Sequence, residues 1–401
     1  MLSDKKAVNK LALLFTCVYM VSYITRINYG AIISEMVIAT GNSKSMMSMA
    51  LTGSFITYGS GQLVSGVLGD RFSPKKLLSI GLAMTVAMNL LIPFCQDPYQ
   101  MLAVWCVNGF AQSFMWPPLV KMMTELLTME DYSKVSVKVS WGSSFGTIIV
   151  YLLSPLLITY FGWKSVFFFS AIVGSLMLVI WQFGKYDVAP TARKRANDSV
   201  QTAGTKKIFG YWMIGILVAI VFLGLIRDGV TTWMPSYIGE TYHLGSAVSI
   251  LSGVVLPIFS IACFQFAAMI YRMKPGAPLW GAAIFFAIGA VSALALNLIS
   301  GSNAVLSVFL SALLTGCMHG ANLILISMLP PFFRETGKVS TISGILNSCV
   351  YIGSALSTYG TALLTEKFGW GVTLVLWMTV AALGTVLCFI CSYPWKKTFM
   401  K

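Results

Sequence analysis

The stretch IFGYWMIGILVAIVFLGLIRDGVTTWM, residues 208–234, is apolar throughout except for one Arg-Asp pair and a few small polar residues near its end. It exceeds the roughly 20 residues a helix needs to cross a hydrocarbon core. A helix is also the economical form there, because it satisfies each backbone N–H and C=O within its own segment. Stretches of the same kind recur along the chain and predict spans at 11–33, 46–68, 77–95, 99–120, 139–160, 164–184, 208–234, 247–270, 278–299, 304–329, 340–364 and 370–392. The whole composition agrees. Of 401 residues, 57% are hydrophobic and only 10% charged, with a mean hydropathy of +0.80, which leaves too little polar surface to cover a soluble globule. The expected fold class is an all-α membrane protein of twelve transmembrane helices in two six-helix bundles, with the lipid bilayer as its solvent.

The first apolar segment is too long for a cleavable leader, carries Arg26 and lacks a small-residue cleavage site, so it is expected to remain as the first span. The eight cysteines fall in or at the ends of helices with no pairing or metal spacing, and read as small apolar packing residues.

A net charge of +14 invites a nucleic-acid reading, but the placement of the cations argues otherwise. With loops assigned alternately to the two sides, only Lys44, Lys164 and Lys367 fall on one side. Arg26 and Arg227 lie inside spans, and the other 22 of the 27 Lys and Arg residues fall on the opposite side. The positive-inside rule then places both termini and the basic loops in the cytoplasm of a cell whose inner (plasma) membrane holds the chain. No nucleic-acid partner is expected.

The one long polar segment, 185–207, contains Pro190 and the run Arg193-Lys194-Arg195, and reads as a linker between an N-terminal half, 1–184, and a C-terminal half, 208–401. The halves echo each other. YFGWKSVFF at 160–168 returns as KFGWGVTLV at 367–375, and Arg26 and Arg227 occupy corresponding places in the first span of each half. Pro117-Pro118 and Pro330-Pro331 are expected to end the fourth and tenth spans. Such repeats point to a carrier with its site near the midplane between the halves.

Residues 61–76, GQLVSGVLGDRFSPKK, narrow the architecture. Gly66, Asp70 and Arg71, followed by Lys75 and Lys76, resemble the loop between spans two and three that marks the major facilitator superfamily. Small residues there let helix ends approach, and a carboxylate beside cations can form ion pairs that break and re-form as the halves move.

An arginine in mid-span costs about 2.5–3.5 kcal/mol on insertion scales, so a retained one normally faces a polar cavity. Tyr19, Ser22, Tyr23, Arg26 and Tyr29 recur at three- and four-residue spacing and predict one polar, aromatic stripe on the first span. Gly224, Arg227, Thr231 and Met234 trace the equivalent line on the seventh. Two guanidiniums on equivalent helices would suit a phosphate or carboxylate, each donating bidentate hydrogen bonds. Asp228, one residue on, is expected to point about 100° away from Arg227 around the helix.

The segments YITRINYGA (23–31), VNGFAQSFMWPP (107–118) and LIRDGVTTWMPSYI (225–238) are similar to matching segments of the organophosphate:phosphate antiporter family, which includes glycerol-3-phosphate and hexose-phosphate carriers. The resemblance implies that Arg26 and Arg227 bind the phosphate moiety. It places Asn108, Gly109, Gln112, Trp116 and Pro117 in the family's fourth-span stretch, and it implies uptake of an organic phosphate or related anion in exchange for inorganic phosphate. The chain also departs from the family. Gln62 stands where the glycerol-3-phosphate carrier has a lysine, Ser143 where it has a histidine, and Asp228 where an uncharged aromatic residue is usual. An ionised Asp228 lowers the cavity's formal charge from +2 to +1, which favours a less charged substrate. Asp228 is therefore also a coupling candidate for a proton-coupled symporter. His319, Trp141, Asn347 and Tyr351 complete the candidate substrate ligands with Tyr23. No phosphate-binding glycine loop and no histidine cluster is present, so neither an enzyme, a cofactor nor a metal site is expected. The remaining readings are a transporter-like sensor of a phosphorylated metabolite and a general exporter. The chain is expected to act as a monomer.

Overall fold

The first span forms because nothing in it breaks a helix. From the Asp4 cap, whose carboxylate accepts from the Lys6 N–H, α1 (Lys5–Ala31) runs without proline and with a single internal glycine. In this computed structural model, which describes residues 4–42, 44–184, 186, 210–244, 252–274 and 276–399, the elements that follow are all helical. They are α2 (Ile33–Thr40), α3 (Lys44–Arg71), α4 (Pro74–Leu91), α5 (Pro98–Gln112), α6 (Trp116–Leu126), α7 (Met129–Phe161), α8 (Lys164–Phe183), α9 (Trp212–Tyr242), α10 (Val255–Met273), α11 (Pro278–Ile299), α12 (Ala304–Asn322) and the run α13 (Val339–Phe399). Ser73, Asp97, Thr128 and Asn303 cap α4, α5, α7 and α12, each accepting a hydrogen bond from a first-turn N–H.

Ten described helical segments are long and apolar enough to cross a membrane. The second span, α3, is rich in glycine and serine, and the fourth is divided between α5 and α6; these complete the twelve. The expected linker, 185–207, lies outside the described residues except for Tyr186, as does the start of the expected eighth span up to residue 251.

The prolines correct one expectation. Pro117-Pro118 do not end the fourth span but open its second part, within the first turn of α6, where a missing N–H costs nothing. The tenth span is interrupted at the matching depth. A π-helical turn, Leu323–Ser327, follows α12, and Pro330 opens a 3-10 turn through Thr336.

The repeat is legible in the backbone. Gly162 and Gly369, the glycines of the two Phe-Gly-Trp copies, adopt φ 74, ψ 167 and φ 76, ψ −179, a conformation almost confined to glycine. Gly369 thereby divides α13 into the eleventh and twelfth spans. Close helix crossings repeat as well. A Cβ on Gly146 would strike the Met20 carbonyl, and one on Gly353, 207 residues later, would strike the carbonyl of Val221, 201 residues after Met20. Spans one and five, and spans seven and eleven, thus approach backbone to backbone in the same way.

The chain divides into two compact units. The first is Met1–Ser199 with Phe333–Ser348, and the second is Val200–Phe332 with Cys349–Lys401. The division assigns the start of the eleventh span to the first unit, a boundary the composition does not mark. In the first unit, Tyr29, Met36, Met47, Trp105 and Phe167 form a buried cluster. All eight cysteines are free thiols, four of them buried.

Candidate functional site

In the first unit the site is built around Arg26. Its guanidinium carbon lies 4.2 Å from the centre of the Tyr23 ring and 4.9 Å from that of Tyr58 on α3, a cation held against two aromatic rings. Tyr23 packs on Tyr19 at 5.2 Å, and Tyr19 on Trp116 at 4.9 Å. Tyr19, Tyr23 and Arg26 therefore share one face, as their spacing predicts. Tyr29 does not join them. It is fully buried, donates its hydroxyl to the Met47 carbonyl at 3.1 Å, and packs on Trp105 at 5.1 Å. At 100° per residue Tyr29 stands about 120° around the helix from Tyr23, far enough to turn into the core.

Asn108 and Gln112 meet α1 at Thr25, the residue before Arg26. The Asn108 amide donates to the Thr25 carbonyl at 3.2 Å, and the Gln112 amide to the Thr25 hydroxyl at 2.9 Å. Asn89 donates to the same carbonyl at 3.0 Å and accepts from Asn28 at 2.7 Å, while Asn28 also donates to Ser170 at 2.9 Å. This buried amide network sets the height and rotation of the helix turn that bears Arg26. Trp116 is buried, and Trp141 half-buried; both indole nitrogens are buried with no hydrogen-bond partner among the described residues.

In the second unit Arg227, 7% exposed, is not turned away from its neighbour. Its Nε donates to Asp228 Oδ1 at 2.7 Å and its Nη2 to Asp228 Oδ2 at 2.8 Å, a bidentate pair that corrects the expected divergence. The two Cα–Cβ directions do diverge, but the long arginine stem reaches back across that angle. Nη1 donates to Asn322 Oδ1 on α12 at 3.0 Å, and the Ser354 hydroxyl on α13 donates to Asp228 Oδ2. The Gly224 and Gly353 crossings bring α13 close enough for that last contact. His319 sits one turn before Asn322, half-buried, its ring against the Phe264 edge at 5.7 Å. Asn347 and Tyr351 are both buried, one turn apart on α13. Asn322, Tyr58 and Thr25 beside the arginines, and Ser354 on Asp228, are residues that spacing did not single out. A serine or threonine in a span rich in small residues carries no local signal of its partner.

Gly66, Asp70 and Arg71 lie at the end of α3. Asp70 accepts from the backbone N–H groups of Ser340 at 3.1 Å and Thr341 at 2.8 Å, and from the Thr341 hydroxyl at 2.7 Å. It thus caps the start of α13. Lys121, one of the 22 cations counted on the cytoplasmic side, is 2% exposed. It donates to the carbonyls of Gly69 and Asp70 and stands 3.6 Å from the Asp70 carboxylate. Gly66 lets α3 approach the start of α13, because a Cβ there would meet the Ser340 carbonyl at 2.8 Å and the Gly344 Cα at 3.2 Å. Arg71 is exposed.

Residues 15–358 match the Major Facilitator Superfamily. The chain belongs to that superfamily. Like other major facilitator proteins it is a multi-pass membrane protein of the transporter type, not an enzyme. The fold matches that of the proton:xylose symporter XylE with a TM-score of 0.78 at 11% identity, covering 96% of this chain and 95% of that one. Among curated relatives, the "Probable hexose phosphate transport protein" of Chlamydia muridarum is 23% identical over 251 residues, 56% of this chain and 55% of that protein. The "Glycerol-3-phosphate transporter" of Bacillus subtilis is 25% identical over 224 residues, 50% of each. The "Membrane sensor protein UhpC" of Salmonella typhimurium is 20% identical over 387 residues, 88% of this chain and 84% of that protein. The chain spans about half the length of the first two relatives. At low identity it resembles the organophosphate:phosphate antiporter family.

Proposed function

We propose that this chain carries a phosphate ester or related small organic anion across the plasma membrane by alternating access, in exchange for inorganic phosphate, with Arg26 and Arg227 as the anion ligands. The observation that carries the reading is the repeat itself. Arg26 and Arg227 stand 201 residues apart on α1 and α9, each six residues after the carbonyl, of Met20 or Val221, that a Cβ on Gly146 or Gly353 would strike. The relatives named as hexose phosphate and glycerol-3-phosphate transporters supply the substrate class. Tyr23, Trp116, Trp141, Asn108 and Gln112 on the first half, and His319, Asn347 and Tyr351 on the second, are the further ligands or supports in this scheme. Asp228 is bound by Arg227, so phosphate exchange rather than proton symport is the coupling proposed. The carrier acts as a monomer with cytoplasmic termini.

The test is counterflow in proteoliposomes loaded with labelled inorganic phosphate. External phosphate esters are expected to release label. Arg26→Lys and Arg227→Lys are each expected to abolish release, because an ammonium keeps the charge but not the bidentate fork. Undiminished release in either variant removes the arginine mechanism.

A second reading, a ligand sensor with little flux, is favoured by the relative named as a membrane sensor, whose match covers 88% of this chain. It predicts phosphate-ester binding by thermal shift without counterflow.

A further inference from the structure

We propose that Asp228 is a tethered counter-ligand: it occupies the bidentate face of Arg227 and makes the protein prefer singly charged anions over doubly charged ones. The assignment deepens the reading above and presupposes that Arg227 is an anion ligand.

The geometry carries it. Nε and Nη2 of Arg227 are the pair of donors that grips a planar carboxylate or two phosphate oxygens, and both are spent on Asp228, at 2.7 and 2.8 Å. A third donor, Nη1, is held by Asn322 at 3.0 Å. Asp228 in turn is held by the Ser354 hydroxyl, which donates to Oδ2. Its carboxylate is thus fixed by two elements rather than resting on the arginine by chance. Ser354 reaches it because Gly224 and Gly353 let α9 and α13 approach at the backbone. This is a built cluster of four side chains from three helices.

An incoming anion must therefore compete with a ligand that is permanently tethered one residue away, an intramolecular competitor present at every substrate concentration. Once displaced, Asp228 remains beside the newcomer as a like charge. Coulomb repulsion scales with the product of the charges, so a dianion meets about twice the opposition of a monoanion in the same place. Asn322 and Ser354 remain as neutral hydrogen-bonding groups for the rest of the ligand.

The experiment measures ligand-dependent thermal stabilisation of the purified full-length protein at pH 8. Sulfate and glycerol 3-phosphate serve as dianions, and glycerate, with the same three-carbon body as the latter, as the monoanion. Asp228→Asn, which keeps the shape, is expected to tighten dianion binding at least tenfold and glycerate binding by less than a third as much. Asp228→Ser, which opens the site further, should move both in the same direction. Asp228→Glu, which restores the charge, should return the wild-type preference. Dianion affinity that is unchanged or weaker in both Asp228→Asn and Asp228→Ser overturns the proposal, as does an equal gain for glycerate. Adding Arg227→Lys to Asp228→Asn separates the two readings. Loss of the gain places the anion on Arg227, whereas a gain that survives shows that the anion binds elsewhere and overturns the arginine reading itself. If the single arginine variants abolish binding while Asp228→Asn is silent, only the counter-ligand fails.

Discussion

Asp70 and Lys121 pose the sharpest question of residue chemistry, because both are buried and each answers the other's charge. Asp70 accepts three hydrogen bonds at the head of α13, and Lys121 stands 3.6 Å away with its ammonium on two backbone carbonyls. Removing one charge leaves the other uncompensated, which in buried pairs costs about 3–5 kcal/mol, whereas removing both together costs far less. Asp70→Asn alone is therefore expected to lower the melting temperature in detergent more than Asp70→Asn combined with Lys121→Met. A double variant as unstable as the sum of its singles would show that the two do not act as a pair. In the proposed function, Arg227 and Asp228 obey the same logic beside the bound anion. There, however, the charge released by losing the acid is one a ligand can use.

Elements are joined at the glycines. Among the described residues, Gly162 and Gly369 have nothing within 4 Å of an added Cβ. Their requirement is conformational, a positive φ with extended ψ that a Cβ disfavours. Gly162→Ala and Gly369→Ala should each cost about 1–3 kcal/mol of stability, read as a fall in melting temperature, with no change in which anions bind. A neutral result at both positions would mean the junctions relax freely. Gly353 is the opposite case: its φ is ordinary helix, but a Cβ would strike the Val221 carbonyl. Its role is to bring Ser354 to Asp228.

At the scale of the molecule, the distribution of cations makes the prediction. Lys164 opens α8 and Lys396 lies near the end of α13, both exposed, and the count of Lys and Arg assigns them to opposite sides of the membrane. In a background with the native cysteines replaced, Lys164→Cys should react with an impermeant maleimide added to intact cells, and Lys396→Cys should react only after permeabilisation. The reverse pattern would invert the proposed topology. The two compact units do not follow the halves read from composition, since Phe333–Ser348 groups with the first. The Asp70 cap at Ser340 and Thr341, and the glycine contact of Gly66 with Gly344, account for that grouping.

By itself the sequence determined the membrane class, the twelve spans, the twofold repeat and the placement of one arginine on the first span of each half. Those features are written in local hydropathy, in helical spacing and in recurring short segments, none of which depends on what lies across a helix interface. Only the tertiary structure decided the partners: Asp228 on Arg227, Ser354 on Asp228, Asp70 on residues 270 positions away, Lys121 buried and Tyr29 turned into the core. Spacing gives the direction in which a Cβ leaves the helix. Where a long side chain ends depends on which backbones come close enough to meet it, and here glycines far apart in the chain set that distance.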